Sequence, residues 1–317
     1  MNSQFIAAIP SPELPVLVIG TAGVDIVGRL KGEHLPGTSN PAQIRTSFGG
    51  VARNVAENLA RLGQAVSLVT AVGKDQAGDQ LLQATSEAGV DVEHVLRSSQ
   101  YPTGTYLAVV NTSGELQFAL DDMRAVSALS GDYIRQCEYL FRESSLVFID
   151  ANLQKETIRT IFTLAKRAHM PVCADPTSKV LAPRLAPYLS RLFMVAQNAD
   201  EASVLCGRPI SASNPRDAME AAKCLVSEGI QVAIITLAQF GVVYATSETS
   251  GHVPAIRTSI IDPTGAGDAL TATMVFSLLN DITIDDAVQL GVSAASLTLR
   301  YRGAVVPDLS LEKLYEL

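Results

Sequence analysis

Short apolar runs alternate along the chain with segments whose apolar residues recur at helical spacing. The runs VLVIG (16–20), VSLVTAV (66–72), LVFID (146–150), PVCAD (171–175) and VAIITL (232–237) are rich in β-branched residues and end in turn or polar residues. Such runs predict strands buried on both faces. Between several of them, VARNVAENLARLG (51–63), AGDQLLQATSEAG (77–89), KETIRTIFTLAKRA (155–168) and DAMEAAKCLVSEG (217–229) carry apolar faces of helical period and often stop at Gly. Strand, helix, strand repeated in this way predicts an α/β fold, with a mostly parallel sheet covered by helices on both faces.

Two regions depart from the alternation. Residues 102–121 hold TGTYLAVVNTSGELQFAL, in which two alternating patterns flank the turn Asn111-Thr112-Ser113-Gly114, so a β-hairpin is expected there. Tyr106, Ala108 and Val110, with Leu116, Phe118 and Leu120, are expected to form its apolar face. Residues 28–48, GRLKGEHLPGTSNPAQIRTSF, contain no good helix and could add strands and loops. Together the two segments predict a small sheet acting as a lid beside the main one. No low-complexity linker and no internal repeat divides the chain, so one domain over 1–317 is expected, with lid segments at about 28–48 and 102–121.

Composition narrows the function. The chain has 317 residues, 47% apolar and 18% charged, with a net charge of −8. That balance argues against nucleic acid as main partner, since a phosphate backbone calls for a basic face. Small anions stay open, because backbone amides can bind them. No apolar run reaches the ~20 residues of a membrane span, and MNSQFIAAIPSPELP lacks the basic start of a secretory signal. A cytoplasmic chain with a short loose leader is expected. Cys137, Cys173, Cys206 and Cys224 are scattered, as are the four histidines, which supports neither a zinc site nor a disulfide framework. Each Cys is expected to fill core space.

Three stretches carry candidate chemistry. In DPTGAGD (262–268), Gly265, Ala266 and Gly267 precede the apolar helical pattern DALTATMVFSLL. A helix start with small residues before it favours an anion, through unpaired N–H groups and the macrodipole. Asp268 beside it would be either an ordinary first-turn acid or the acceptor of a proton from an attacking hydroxyl. In FGGVARNVAENLARLG (48–63), Gly49 and Gly50 would let a ligand approach the backbone, and Asn54 offers a donor and an acceptor to a polyol. Asn58, four residues on, is expected to face water. Asp25 follows the first strand, at the end of an open α/β sheet where ligands bind, although a lone Asp in a loop is also a common turn former.

Taken in chain order, Asp25, Gly49-Gly50 with Asn54, Asn198 with Glu201, Thr236 with Gly241, and Asp262 to Asp268 resemble the ribokinase-like, phosphofructokinase-B family of carbohydrate and nucleoside kinases. The resemblance spans essentially the whole chain. It implies a ribokinase-like three-layer sandwich with a small β-sheet lid. It also implies ATP as phosphate donor, Mg2+, and in many members K+. Asp268 then matches the catalytic base, with the amides of Gly265, Ala266 and Gly267 as the anion hole. Asp25, Gly49, Gly50 and Asn54 match sugar-holding positions. Asn198 and Glu201 match an element that places magnesium and phosphate, Glu201 acting indirectly. Thr236, Ala238 and Gly241 fall at nucleotide-contacting positions, and Asp262 and Thr264 at part of a monovalent cation site.

Two positions depart from the family pattern. TLAQFG puts Ala238 where the nucleotide loop commonly has Gly. GGVARN replaces the Lys and Ala of the ribokinase GGKGAN by Val51 and Arg53, which weakens ribose as substrate. The stretch TSNPAQIRTSFGGVARN, with ALDDM after the hairpin and DAN at 150–152, is most similar to the pseudouridine kinases of the family. This implies transfer to a nucleoside 5′-hydroxyl, giving pseudouridine 5′-phosphate, with Asn40 and Asn152 as pocket candidates. Another sugar as substrate, or a non-catalytic nucleoside or sugar sensor, are the alternatives. A dinucleotide oxidoreductase is disfavoured, because VIGTAG after the first strand is not G-x-G-x-x-G. The exposed hairpin face needs cover, and pairing of two lids in a homodimer is one solution.

Overall fold

In the computed structural model, which describes residues 13–317, the first strands are β1 Val16–Ile19, β2 Gly23–Leu30, β3 Ala42–Gly49, β4 Val66–Val69, β5 Ala71–Gly73, β6 Leu96–Ser98 and β7 Gly104–Val110. They continue as β8 Leu116–Asp122, β9 Leu146–Asp150, β10 Val172–Asp175, β11 Met194–Asn198, β12 Val232–Thr236, β13 Val242–Ala245 and β14 Ser250–Val253. The helices are α1 Val51–Arg61, α2 Gln76–Glu87, α3 Gly131–Gln136, α4 Lys155–Arg167, α5 Ala199–Cys206, α6 Pro215–Ser227, α7 Ala266–Leu279, α8 Ile284–Leu299 and α9 Leu311–Tyr315. The leader expected at the N-terminus lies almost wholly outside the described residues.

Eight strands form one sheet in the order β14-β13-β12-β11-β10-β9-β1-β4. Its pairs are parallel from β4 to β12, and β13 and β14 add an antiparallel edge. Side chains alternate between the faces. Leu17, Ile19, Val147 and Ile149 join α4 and α6 in one apolar cluster. Val16, Val18, Leu146 and Phe148 join α1, α7 and α8 in another. That double burial is why these strands read as unbroken apolar runs. Helix α7 is buried on every side from Ala269 to Leu279 and packs against both α1 and α8, which fixes its first turn at the carboxyl ends of the parallel strands.

The two segments that broke the alternation meet in a separate sheet, β3-β2-β7-β8, in which β2 runs parallel to β7 and the other pairs are antiparallel. β2 begins at Gly23, so Asp25 stands inside this sheet, opposite Ser47 and Tyr106. The hairpin register differs from the expected one. Leu107 lies opposite Leu120 and Val109 opposite Phe118, with an irregularity between Val109 and Val110. The apolar residues of β8 therefore share a face with Leu107 and Val109, while Tyr106 and Ala108 turn to the other side with Asp25. Ile44, opposite Gly28, joins the outer face. Ile44 is 68% exposed, Leu120 63% and Phe118 44%.

The cysteines differ too. All four are free, but only Cys137 and Cys173 are buried, while Cys206 is half-buried and Cys224 exposed. Among the described residues no helix is long and apolar enough to cross a membrane.

Candidate active site

Gly265 caps α7 with a φ of 80°, and a Cβ there would lie 2.0 Å from the carbonyl oxygen of Ala304. The chain can turn against that carbonyl only with glycine. At Gly267, two residues on, a Cβ would meet nothing within 4 Å, so the first turn of α7 opens onto free space. The first N–H groups of any α-helix lack partners within it. Asp268 is the third residue of the helix.

Helix α1 reaches the same point from the other side. Asn54 Nδ2 donates to Asp268 Oδ2 at 2.8 Å, joining two motifs 214 positions apart in the chain. Gly50 is the N-cap residue of α1. Gly49 is bare for a reason the sequence did not reveal: a Cβ on it would fall 2.1 Å from Asp25 Oδ2. The backbone there is faced by the Asp25 carboxyl, which is held over the start of α1. Asn58 does not face water. It is fully buried, with Nδ2 donating to Asn54 O at 2.9 Å.

Two further carboxyls, absent from the sequence-based set, complete the cluster. Asp150, at the end of β9, is fully buried and accepts from Thr21 N at 2.7 Å, Thr21 Oγ1 at 2.6 Å, Ala52 N at 3.2 Å and Asn152 N at 3.0 Å. It ties the ends of β1 and β9 to the first turn of α1. Asp175 ends β10 and accepts from Thr177 N at 2.6 Å.

Crowding of acids in a desolvated space sets the electrostatics. Burial pushes Asp268 up to about 7, with the charges of Asp25 and Asp150 adding to the rise and the Asn54 hydrogen bond opposing it. Burial raises Asp25 to about 6; Arg53 opposes the rise and Asp262 adds to it. Burial also raises Asp150, against its hydrogen bonds. Asp175 rises well above the usual carboxylate range, first through burial and then through Glu201, Asp268 and Asp150.

The neighbouring strands carry the rest of the predicted set. Asn198 and Glu201 form a capping box at α5: Asn198 N donates to Glu201 Oε2 at 2.8 Å, and Glu201 N donates to Asn198 Oδ1 at 3.0 Å; Asn198 Nδ2 also donates to Glu201 Oε1 at 2.8 Å. Thr236 lies opposite Asn198 in the register and donates through Oγ1 to Gln197 O at 3.3 Å. Ala238 holds a φ of 48° in the left-handed region, and Gly241 a φ of 94°. Asp262 accepts from Thr264 N at 3.1 Å and pairs with Arg45 of β3 at 3.1 Å, linking the small sheet to the α7 loop. Asn152 reaches Thr21 Oγ1 at 3.4 Å and Thr177 Oγ1 at 3.5 Å, beside Asp150. Asn40 stands apart. Its amide closes its own loop, bonding Leu35 N at 2.8 Å, Leu35 O at 2.9 Å and Thr38 O at 3.0 Å.

The site thus gathers the Asp268 carboxyl in the first turn of α7, the Asn54 amide of α1 and the Asp25 carboxyl of the small sheet. Residues 14–310 match the family described as pfkB family carbohydrate kinase. The chain is 30% identical to the pseudouridine kinase of Escherichia coli (strain K12), over 95% of this chain and 96% of that protein. It is 28% identical to the guanosine-inosine kinase of Exiguobacterium acetylicum, over 93% and 97%. A carbohydrate kinase from Agrobacterium tumefaciens superposes with a TM-score of 0.82 at 26% identity, covering 96% of each chain. The chain belongs to the pfkB family of carbohydrate kinases. It is a phosphotransferase with an alcohol group as acceptor, acting on a sugar or nucleoside.

Proposed function

We propose that the protein is an ATP-dependent nucleoside kinase that phosphorylates a 5′-hydroxyl, with pseudouridine as substrate and pseudouridine 5′-phosphate as product. The observation that carries the site is the hydrogen bond from Asn54 to Asp268 at the open start of α7. Support for the nucleoside comes from the SNP and GGVARN segments and from the similarity to a pseudouridine kinase.

In this reading Asp268 takes the proton of the acceptor hydroxyl, and the amides of Gly265, Ala266 and Gly267 stabilise charge on the phosphoryl group in transit. Asp25, Gly49, Gly50 and Asn54 hold the sugar hydroxyls, with Asn152 at the far edge and Asn40 in the lid loop. Asn198, Thr236, Ala238 and Gly241 flank the nucleotide. Mg2+ binds largely through phosphate oxygens and water; it would neutralise phosphate charge when bound, and Glu201 would steer it. A monovalent cation at Asp262 and Thr264 would share the Asp262 carboxylate with Arg45.

The small sheet serves as lid, and its outer face of Ile44, Phe118 and Leu120 is proposed to pair with a second copy. The test of substrate is ADP release with Mg-ATP and, in turn, pseudouridine, uridine, inosine, ribose and fructose 6-phosphate. Turnover of a nucleoside is expected; turnover of ribose or fructose 6-phosphate alone would overturn the nucleoside assignment.

A further inference from the structure

Arg53 stands where ribokinases carry alanine, and among the described residues no other Arg or Lys is buried; its exposure is 5%. A buried guanidinium is costly unless its donors are met. Its Nε donates to Thr85 Oγ1 at 3.3 Å, and one terminal nitrogen donates to Phe48 O at 3.2 Å and Asn54 Oδ1 at 3.3 Å. The other terminal nitrogen is ion-paired with Glu57, which Arg61 holds at 3.1 Å.

The contact with Asn54 has a chemical consequence. A side-chain amide can sit either way round, with oxygen or nitrogen forward. A guanidinium only donates, so it demands the amide oxygen. With Oδ1 turned to Arg53, Nδ2 is left to face Asp268, and a donor there favours the ionised carboxylate. The opposite orientation would aim an oxygen at Asp268 and disfavour its charge.

The charges around the site have the same consequence. Asp268 faces Asp25 on β2, Asp150 on β9 and Asp175 on β10. Asp25 faces Asp262, itself paired with Arg45, and Tyr106 on β7. These neighbours are acidic, and Arg53 is the cation set against them at Asp25.

We propose that Arg53 is a positioning residue for phosphoryl transfer: it locks the Asn54 amide with its nitrogen toward Asp268 and keeps a positive charge beside Asp25. The proposal rests on Asp268 being the group that takes the proton.

The test compares Arg53→Met and Arg53→Lys with the parent and with Asp268→Asn, in steady-state kinetics with Mg-ATP and the preferred acceptor from about pH 5.5 to 9, alongside thermal unfolding without ligands. Arg53→Met should lower kcat by about tenfold to a hundredfold and move the acid limb of the profile to higher pH, with the KM for ATP within about twofold. Arg53→Lys should return the limb toward the parent without restoring kcat, because one ammonium cannot span Phe48, Asn54 and Glu57. A purely scaffolding role would lower the melting temperature and leave kcat and the limb unmoved, and that result overturns the proposal. If Arg53→Met does not fold, Arg53→Lys decides alone, and a kcat within about twofold of the parent overturns it. Retained activity in Asp268→Asn would instead sink the assignment of the base; loss there with an unaffected Arg53→Met sinks only the role of Arg53.

Discussion

Replacing Asp268 by Asn should stabilise the protein at both pH 5 and pH 8, and by more than twice as much at pH 8. In the folded chain burial lifts the Asp268 carboxyl from 3.8 to about 7, whereas in the unfolded chain it titrates near its ordinary value. Between these pH values the native state holds a proton that the unfolded chain releases, so stability falls as pH rises through this window and is lowest above about 7. About three pH units at about 1.36 kcal/mol each place the cost of the ionised carboxyl near 4 kcal/mol as an upper bound. The substitution keeps the shape, and the new amide oxygen can still accept from Asn54 Nδ2, so little is lost in exchange. Even half that gain corresponds to a rise of several degrees, on the order of 5 °C, in melting temperature. The assay is urea or thermal unfolding of ligand-free parent and variant at pH 5 and pH 8. A stability difference of the same size at both pH values, or a loss at pH 8, would mean that Asp268 does not ionise at a cost in the folded chain. A stabilised but inactive variant is the expected signature of a strained catalytic group.

Turnover should rise with pH through about 7 as Asp268 ionises, and a kcat that is flat from about pH 5.5 to 8 would contradict Asp268 as base. Ala238→Gly should relieve a non-glycine residue at a φ of 48°, adding up to about 1 kcal/mol to stability; a lower melting temperature would mean that the alanine methyl packs usefully. Joint substitution of Phe118 and Leu120 by Ser should leave the fold intact and shift a dimer to monomer in sedimentation at micromolar concentration. A parent that already sediments as a monomer would rule out pairing through the lid.

The parallel strands were legible because burial on both faces leaves no polar position in LVFI (146–149) or VAII (232–235) to confuse the period. β11 was not, since MVAQN ends in Asn198, the residue that caps α5. α8 escaped because its buried positions include Gly291, Ser293, Ala294 and Ser296, and a face of small residues gives a weak periodic signal. In the site, DPTGAGD and GG-x-x-x-N were readable as local patterns with a backbone logic. Asp150 and Asp175 were not read as members, because an acid at a strand end looks like a turn until the strands are laid side by side. The partner of Asn54 was equally hidden: only the packing of α1 on α7 brings position 54 to position 268. Arg53 was visible as a departure from the ribokinase pattern and as part of GGVARN, but its burial was not.

Selectivity for a nucleoside is read from kcat/KM for pseudouridine against uridine and ribose, with Mg-ATP in excess and the product's phosphate position determined by NMR. Pseudouridine should be preferred over both and should carry its phosphate at the 5′ position. A higher kcat/KM for ribose, or a phosphate at any other position, would contradict the proposed function.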